Sequence, residues 1–478
     1  MLIRKKMNLG AHGHSIDYVI NQLVEVLVTV LCVALNIAIA VAVTAILIHI
    51  VKRAYPLYRS GLRCSRADPD GIPFGSAYGL QFYSPSGQEG HILAWGPSGS
   101  GKTAASLIPI LKAFDGVGSY VIDISGDISR NVEKASKMAF EPESMDTVPF
   151  DVFHYVDVLP DDTDKDQALM RLAYMLLPPL SPQIATANAL YFADEGRKIL
   201  TAALLAFYHE GFDFPEICEK IVSLSYRQLF AEIDATGNLT AISFINGFEG
   251  SSEANTAGCR QSAVAAVDLF ATNVYVHNAF RRPRMNEESV AMDSIETKHV
   301  FFLVSDANLD VYAQAVHLVT SLFLEYVGNR MNPGGTILLA IDELASFGRL
   351  DLINQLRKAR KRKVRIFCLT QSLADLYLVY GHEETQAMLT NFSFKLILGA
   401  ASAEDAEYVS RLIGKRKAKK RSVSYGMRGY STTQTEEDEW IITPEQVSKL
   451  DKELLLIFRG GYLKMRKNYY FKIRKKLF

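Results

Sequence analysis

The chain has few cysteines, five in all. Cys32, Cys64, Cys218, Cys259 and Cys368 are scattered and form no C-x-x-C pair, which argues against a disulfide scaffold or a zinc ribbon and fits a reducing compartment. It has no excess charge either: Lys plus Arg number 52 and Asp plus Glu number 52. No internal repeat is visible. With 49% hydrophobic and 22% charged residues, neither a disordered nor a collagen-like chain is possible. At about 150 residues per domain the length allows roughly three folding units.

The balanced total hides local asymmetry. Residues 141 to 166 carry Glu141, Glu143, Asp146, Asp151, Asp157, Asp161, Asp162, Asp164 and Asp166 against Lys165. Basic runs are dense from Arg357 to Arg365 and from Lys415 to Arg421, and the tail adds Lys464, Arg466, Lys467, Lys472, Arg474, Lys475 and Lys476. Each run reads equally as a solvated face and as local attraction to nucleic acid or anionic lipid.

From Val26 to Ile50 the chain is almost wholly apolar. About 25 residues of helix reach about 37 Å, enough to cross a hydrocarbon core of about 30 Å. The run is too long for a signal-peptide core, and Lys52 and Arg53 follow it where a small-residue cleavage site would stand. One uncleaved span is expected, in preference to two short passes between Val19 and Val51. Arg4, Lys5 and Lys6 precede it, and Lys52, Arg53, Arg59, Arg63 and Arg66 follow, a bias that places the bulk of the chain in the cytoplasm.

The run His91-Ile92-Leu93-Ala94-Trp95 leads into Gly96-Pro97-Ser98-Gly99-Ser100-Gly101-Lys102-Thr103 and then a helix-capable Ala104 to Leu111. This is G-x-x-x-x-G-K-[ST] between a strand and a helix. Glycines let backbone N–H groups curl around phosphates, Lys102 reaches the β/γ-phosphates and the Thr103 hydroxyl can ligate Mg²⁺. A second apolar strand, Thr336 to Ile341, ends in Asp342-Glu343. Ligands of open α/β sheets lie beyond the carboxyl ends of strands, so Asp342 is expected at the metal and Glu343 beside the attacking water.

Three other apolar runs end in polar groups: Ser119 to Asp123, Val300 to Val304 before Ser305-Asp306, and Arg365 to Thr370 before Gln371-Ser372. The Gln371 amide both donates and accepts, which suits sensing a γ-phosphate or positioning water. Asp123 and Asp306 read as turn or cap residues. Helical patterns fill Gln167 to Leu177, Asn188 to Glu210, Pro215 to Ser223, Tyr226 to Ala235 and Gly258 to Thr272, and the polar stretch Arg411 to Asp438 reads as a flexible loop. The expected organisation is an anchor segment over 1–52 with its span at about 26–50, a linker over 53–90, a nucleotide-binding α/β domain over 91–155 and 295–478, and an inserted all-α domain over 156–294.

These residues together resemble the TraG-like coupling proteins of conjugative type IV secretion systems, which are membrane-anchored P-loop ATPases. The resemblance rests on Gly75-Ser76-Ala77, the loop Gly96 to Thr103, Asp123-Ile124-Ser125-Gly126-Asp127, Tyr191 to Arg197, Asp342 to Gly348, Lys358-Ala359-Arg360-Lys361, Gln371-Ser372 and Leu454 to Gly460. It implies a RecA-like domain with an inserted all-α domain, a ring of six, ATP with Mg²⁺, and a place at the bacterial cytoplasmic membrane. The implied partners are single-stranded DNA bound without sequence preference, relaxase or relaxosome proteins, and channel subunits. It also implies that Arg360 reaches the neighbouring subunit's nucleotide, with Arg357, Arg362 and Arg365 as close rivals. Many such proteins have a two-pass anchor with a small external domain, for which residues 1–52 leave no room. The other readings are a double-stranded DNA pump of the chromosome-segregation type and a nucleotide-gated cargo receptor with little motor output.

Overall fold

The computed structural model describes residues 10–60, 62–65, 71–77, 80–84, 90–180, 185–331, 333–426, 429–459 and 461–471. Arg4, Lys5, Lys6, Arg66, Gly460, Lys472, Arg474, Lys475 and Lys476 lie outside them, as does the side chain of Arg360. The chain divides into two units, Met1–Gly61 and Leu62–Phe478.

The first unit is one unbroken helix, Gly10–Ser60. Its stretch Ile20–His49 contains an 18-residue window of mean hydropathy 2.8 and is long and apolar enough to cross a membrane. Neither proline nor glycine interrupts Ile20–His49, so nothing in it breaks the helix into two passes.

The second unit is built on a twelve-stranded sheet. Its strands are β1 (Arg63–Ser65), β2 (Pro73–Ala77), β3 (Leu80–Tyr83), β4 (His91–Trp95), β5 (Gly118–Asp123), β6 (Lys137–Phe140), β7 (His299–Leu303), β8 (Ile337–Ile341), β9 (Val364–Thr370) and β10 (Phe392–Ile397). A separate ribbon pairs β11 (Lys415–Gly426) with β12 (Gly429–Trp440), and β13 (Glu453–Phe458) and β14 (Gly461–Arg466) return to the main sheet. The order is β1-β3-β2-β14-β13-β10-β4-β9-β8-β5-β7-β6. From β10 to β6 every neighbouring pair is parallel, and from β10 back to β1 every pair is antiparallel.

The apolar runs explain the central layer. Every residue of β4, β5, β8 and β9 is buried, as expected of parallel strands covered on both faces. After β4 the chain crosses to β5 beyond β9 and β8, whereas after β9 it returns to β10 on the other flank of β4. Connections that leave in opposite directions open a crevice at the carboxyl end of β4.

Among the described residues between β6 and β7 the named elements are all helices, the longest being Asp162–Leu176, Ala187–His209 and Glu253–Thr272. Their ends are written in the sequence: Asp213 with Glu216 and Ser225 with Gln228 form capping boxes, each closing orphan N–H groups of a first turn. Leu239–Ile245 and Val274–Ala279 are further helices that the periodicity does not single out. These helices share one hydrophobic core with the sheet, running from Trp95, Tyr120 and Phe302 to Leu204, Phe214 and Phe270.

The stretch read as a flexible loop from Arg411 to Asp438 is instead the end of helix Ala403–Ile413 followed by the β11–β12 ribbon, paired from Lys415–Trp440 to Gly426–Gly429. Its basic strand faces an acidic one. Arg416 pairs with Glu439 at 3.2 Å, Lys420 with Glu437 at 2.6 Å and Lys417 with Glu436 at 3.9 Å, while Lys415 lies over the Trp440 ring. Three of the six cations in the run Lys415 to Arg421 are thus paired within the ribbon.

Candidate nucleotide-binding site

The crevice at β4 gathers residues distant in sequence. The loop Gly96–Thr103 leaves β4 held on both flanks: Gly96 N donates to Thr370 O at the end of β9, and Leu398 N, just past β10, donates to Trp95 O. Gly101 has φ +89°, a region that L side chains rarely adopt. A π-helical turn, Thr103–Leu107, follows and passes into the helix Ile108–Ala113, so the loop ends on backbone N–H groups aimed back at it.

Lys102 is 6% exposed, and its ammonium donates to Gly96 O at 2.8 Å and Pro97 O at 3.2 Å. Burial pulls its pKa down, opposed by the carboxylates of Glu343 and Asp342. The Thr103 hydroxyl donates to Asp342 Oδ2 at 3.4 Å. Asp342 follows β8, is 8% exposed, and is pushed up to about 7 by burial and then by the neighbouring Glu343. The backbone of Glu343 adopts φ +52°, a conformation uncommon outside glycine, and its N–H donates to Asp342 Oδ1. From β9, Gln371 Nε2 donates to Glu343 Oε2 at 3.0 Å. Lys102, Thr103, Asp342, Glu343 and Gln371 thus converge on one rim, supplied by β4, β8 and β9.

A buried carboxyl that resists ionisation beside a loop hydroxyl fits a divalent cation, because the cation supplies the missing counter-charge. The Ser100 hydroxyl is buried without a partner, as a cradle built for polar oxygens would leave it. Among the described residues no group of three or more His, Cys, Asp or Glu could hold a metal, so a cation here would be held by Thr103, Asp342 and substrate oxygens.

Other expected residues fall elsewhere. Asp123 accepts from Ser129 N at the start of helix Asp127–Asn131, and Ser305 is tied to Glu143, so both rim positions act as turn and cap groups. Arg360 lies in a 3₁₀ turn before β9, at the opposite end of that strand from Gln371. Two of its rivals are engaged: Arg365 is buried and donates to the Ser84 hydroxyl, and Arg362 donates to Arg330 O. In the helical region Arg197 is likewise structural, bonded to Leu177 O and Asp194.

The sequence reading missed one neighbour of the loop. Past β14, Lys467 Nζ donates to Ser100 O at 2.8 Å and Leu398 O at 3.1 Å, and Tyr470 N donates to Ala104 O. Lys467 reads as one cation of a basic tail, and only the run Asn468-Tyr469-Tyr470-Phe471, aromatic amid lysines, hints otherwise.

A phosphate loop at a sheet switch point, an acid pair on the neighbouring strand and an inserted helical region define a RecA-like P-loop NTPase fold with an N-terminal apolar helix. The chain belongs to the family described as type IV secretory system conjugative DNA transfer, whose pattern matches residues 63–477. It is 24% identical to the protein VirD4 of Rhizobium radiobacter over 83% of this chain, and it spans 59% of that relative's length. Among solved structures it resembles the bacterial conjugative coupling protein TrwBdeltaN70, with TM-score 0.66, 18% identity and coverage of 82% of this chain and 87% of that one. The plasmid coupling protein TrwB in complex with ADP and Mg²⁺ gives TM-score 0.64 and 17% identity, covering 81% of this chain and 87% of the other.

Proposed function

We propose that this chain is a membrane-anchored coupling ATPase that binds a DNA–protein substrate and drives it into a type IV secretion channel. The observation that carries the reading is the convergence of Lys102, Thr103, Asp342, Glu343 and Gln371 on one rim. Family membership, and the nucleotide and Mg²⁺ in the related coupling protein, support ATP and Mg²⁺ as ligands.

In this reading the N–H groups of residues 99–103 bind the phosphates, and Lys102 exchanges the carbonyls of Gly96 and Pro97 for β- and γ-phosphate oxygens. Thr103 and Asp342 would hold Mg²⁺, which when bound would supply charge neutralisation at the phosphates. Gln371 holds one oxygen of Glu343, which leaves the other to orient the attacking water and accept its proton. A neighbouring subunit's Arg360 would add charge stabilisation at the γ-phosphate, worth about 10³–10⁵ in rate where such arginines act. That role requires a ring, taken here as six copies. The one helix among the described residues that is long and apolar enough to span supports an anchor in the bacterial cytoplasmic membrane with the ATPase unit in the cytoplasm. Arg357, Lys358, Lys361 and Lys363 are exposed cations and support contact with the phosphates of single-stranded DNA. Relaxase or relaxosome proteins and channel subunits are the protein partners that the family supports.

Phosphate release by the detergent-solubilised full chain tests the site. Glu343→Gln is expected to bind ATP with unchanged affinity and to lose at least about 10² in turnover. Wild-type turnover by that variant removes Glu343 from its role.

A further inference from the structure

The groups that meet a terminal phosphate come from β8 and β9, on one flank of β4. A triphosphate laid along the loop must therefore carry its nucleoside out on the other flank, next to β10. That flank is occupied by the segment after β14. Lys467, 9% exposed, donates to Ser100 O in the loop and to Leu398 O just past β10. The next residues run along the start of the loop helix. Tyr470 N bonds to Ala104 O, and the Lys112 ammonium lies 5.3 Å from the Tyr470 ring centre. A Cβ built on Gly101 would stand 3.1 Å from Tyr469 Cε1 and 3.4 Å from its hydroxyl oxygen. Tyr469 and Phe471 form a tilted pair with ring centres 5.3 Å apart, and Phe471 is 62% exposed.

We propose that Lys467–Phe471 completes the nucleotide site: the Lys467 ammonium braces the phosphate loop through the Ser100 carbonyl, and the Tyr469–Phe471 pair is the surface on which the nucleobase stacks. The proposal rests on the reading of the loop as a triphosphate cradle. The division of labour follows from chemistry. An ammonium that ties two backbone carbonyls fixes loop shape and acts on every phosphate ligand alike. An aromatic face offers a base a stacking partner and offers a bare phosphate chain nothing.

The two roles separate with two probes, Mg·ATP and inorganic tripolyphosphate with Mg²⁺, titrated calorimetrically into the full chain in detergent. Tyr469→Ala is expected to weaken ATP about tenfold, which is ~1.4 kcal/mol, and to leave tripolyphosphate within about twofold. Tyr469→Phe should bind both as the wild type does. Lys467→Met should weaken both probes by a similar factor, and Lys467→Arg should restore much of the loss. An unchanged ATP affinity in Tyr469→Ala, or an equal loss for tripolyphosphate, overturns the stacking surface. Should Lys467→Met fail to fold, the Tyr469 variants still decide. If the wild-type chain binds neither probe, the triphosphate reading itself has failed, and the proposal falls with it. Wild-type binding with an indifferent Tyr469 sinks the proposal alone.

Discussion

Replacing Asp342 by asparagine should stabilise the ligand-free protein while abolishing the Mg²⁺-dependent hydrolysis proposed above. In an unfolded chain the carboxyl ionises near its ordinary 3.8; in the folded protein burial and Glu343 push it to about 7. Between those values the folded state holds the extra proton, so stability falls as pH rises from about 4 to 7, and the cost is complete above that. About three pH units correspond to ~4 kcal/mol. Asparagine removes that cost but weakens the bonds from Thr103 and the Glu343 N–H, at about 1 kcal/mol each. A net gain of ~2 kcal/mol at pH 8 would raise the melting temperature of a unit this large by about 2 °C. Trp95, buried at the end of β4, and Trp440 are the tryptophans of the chain, so intrinsic fluorescence follows unfolding next to the site. The gain should fall to zero near about pH 5 and reverse toward pH 4, where only the weakened bonds remain, and saturating Mg·ATP should reverse the order by stabilising the wild type only. An Asp342→Asn protein that melts at or below the wild-type temperature at pH 8, without metal or nucleotide, refutes the reasoning.

Three further outcomes are expected. Gln371→Leu removes the donor to Glu343 and, if Glu343 is the base proposed above, should lower kcat by about 10–10² with little change in KM. Arg357→Gln with Lys361→Gln should weaken single-stranded DNA binding and reduce the slope of log K against log salt by about 1.4; an unchanged slope in a salt titration would move the contact elsewhere. Gly101→Ala should weaken ATP binding strongly, since the residue needs φ +89° and its Cβ would press on Tyr469; wild-type affinity in a calorimetric titration would contradict the loop geometry.

The central strands and the rim were legible because their signals are local. The run Ile337–Ile341 is apolar throughout and Ile366–Leu369 nearly so, and helix ends at Asp213 and Ser225 carry their own caps. The ribbon was not legible. The described side chains of the ribbon, 415–421 and 434–440, are exposed or half-buried, so they carry no apolar alternation, and cross-strand matching of lysine with glutamate is invisible along one strand. The brace at Lys467 was hidden by distance, since its acceptor Ser100 lies 367 positions away. Nor could the engagement of Arg362 and Arg365 be read, because their acceptors come from other elements.

The seam between the two parts of the sheet has its own consequence. β14 shares six register pairs with β13 but a single one, Arg466 with Ser76, with β2, and Gly75 is there because a Cβ would stand 2.9 Å from Arg466 O. In native-state hydrogen exchange, amides of β1–β3 should therefore become labelled well before those of β4 or β8, as a cooperative block that opens without global unfolding. The strands that follow the apolar helix are thus the least firmly stitched part of the sheet, and they adjoin the strand whose continuation touches the phosphate loop.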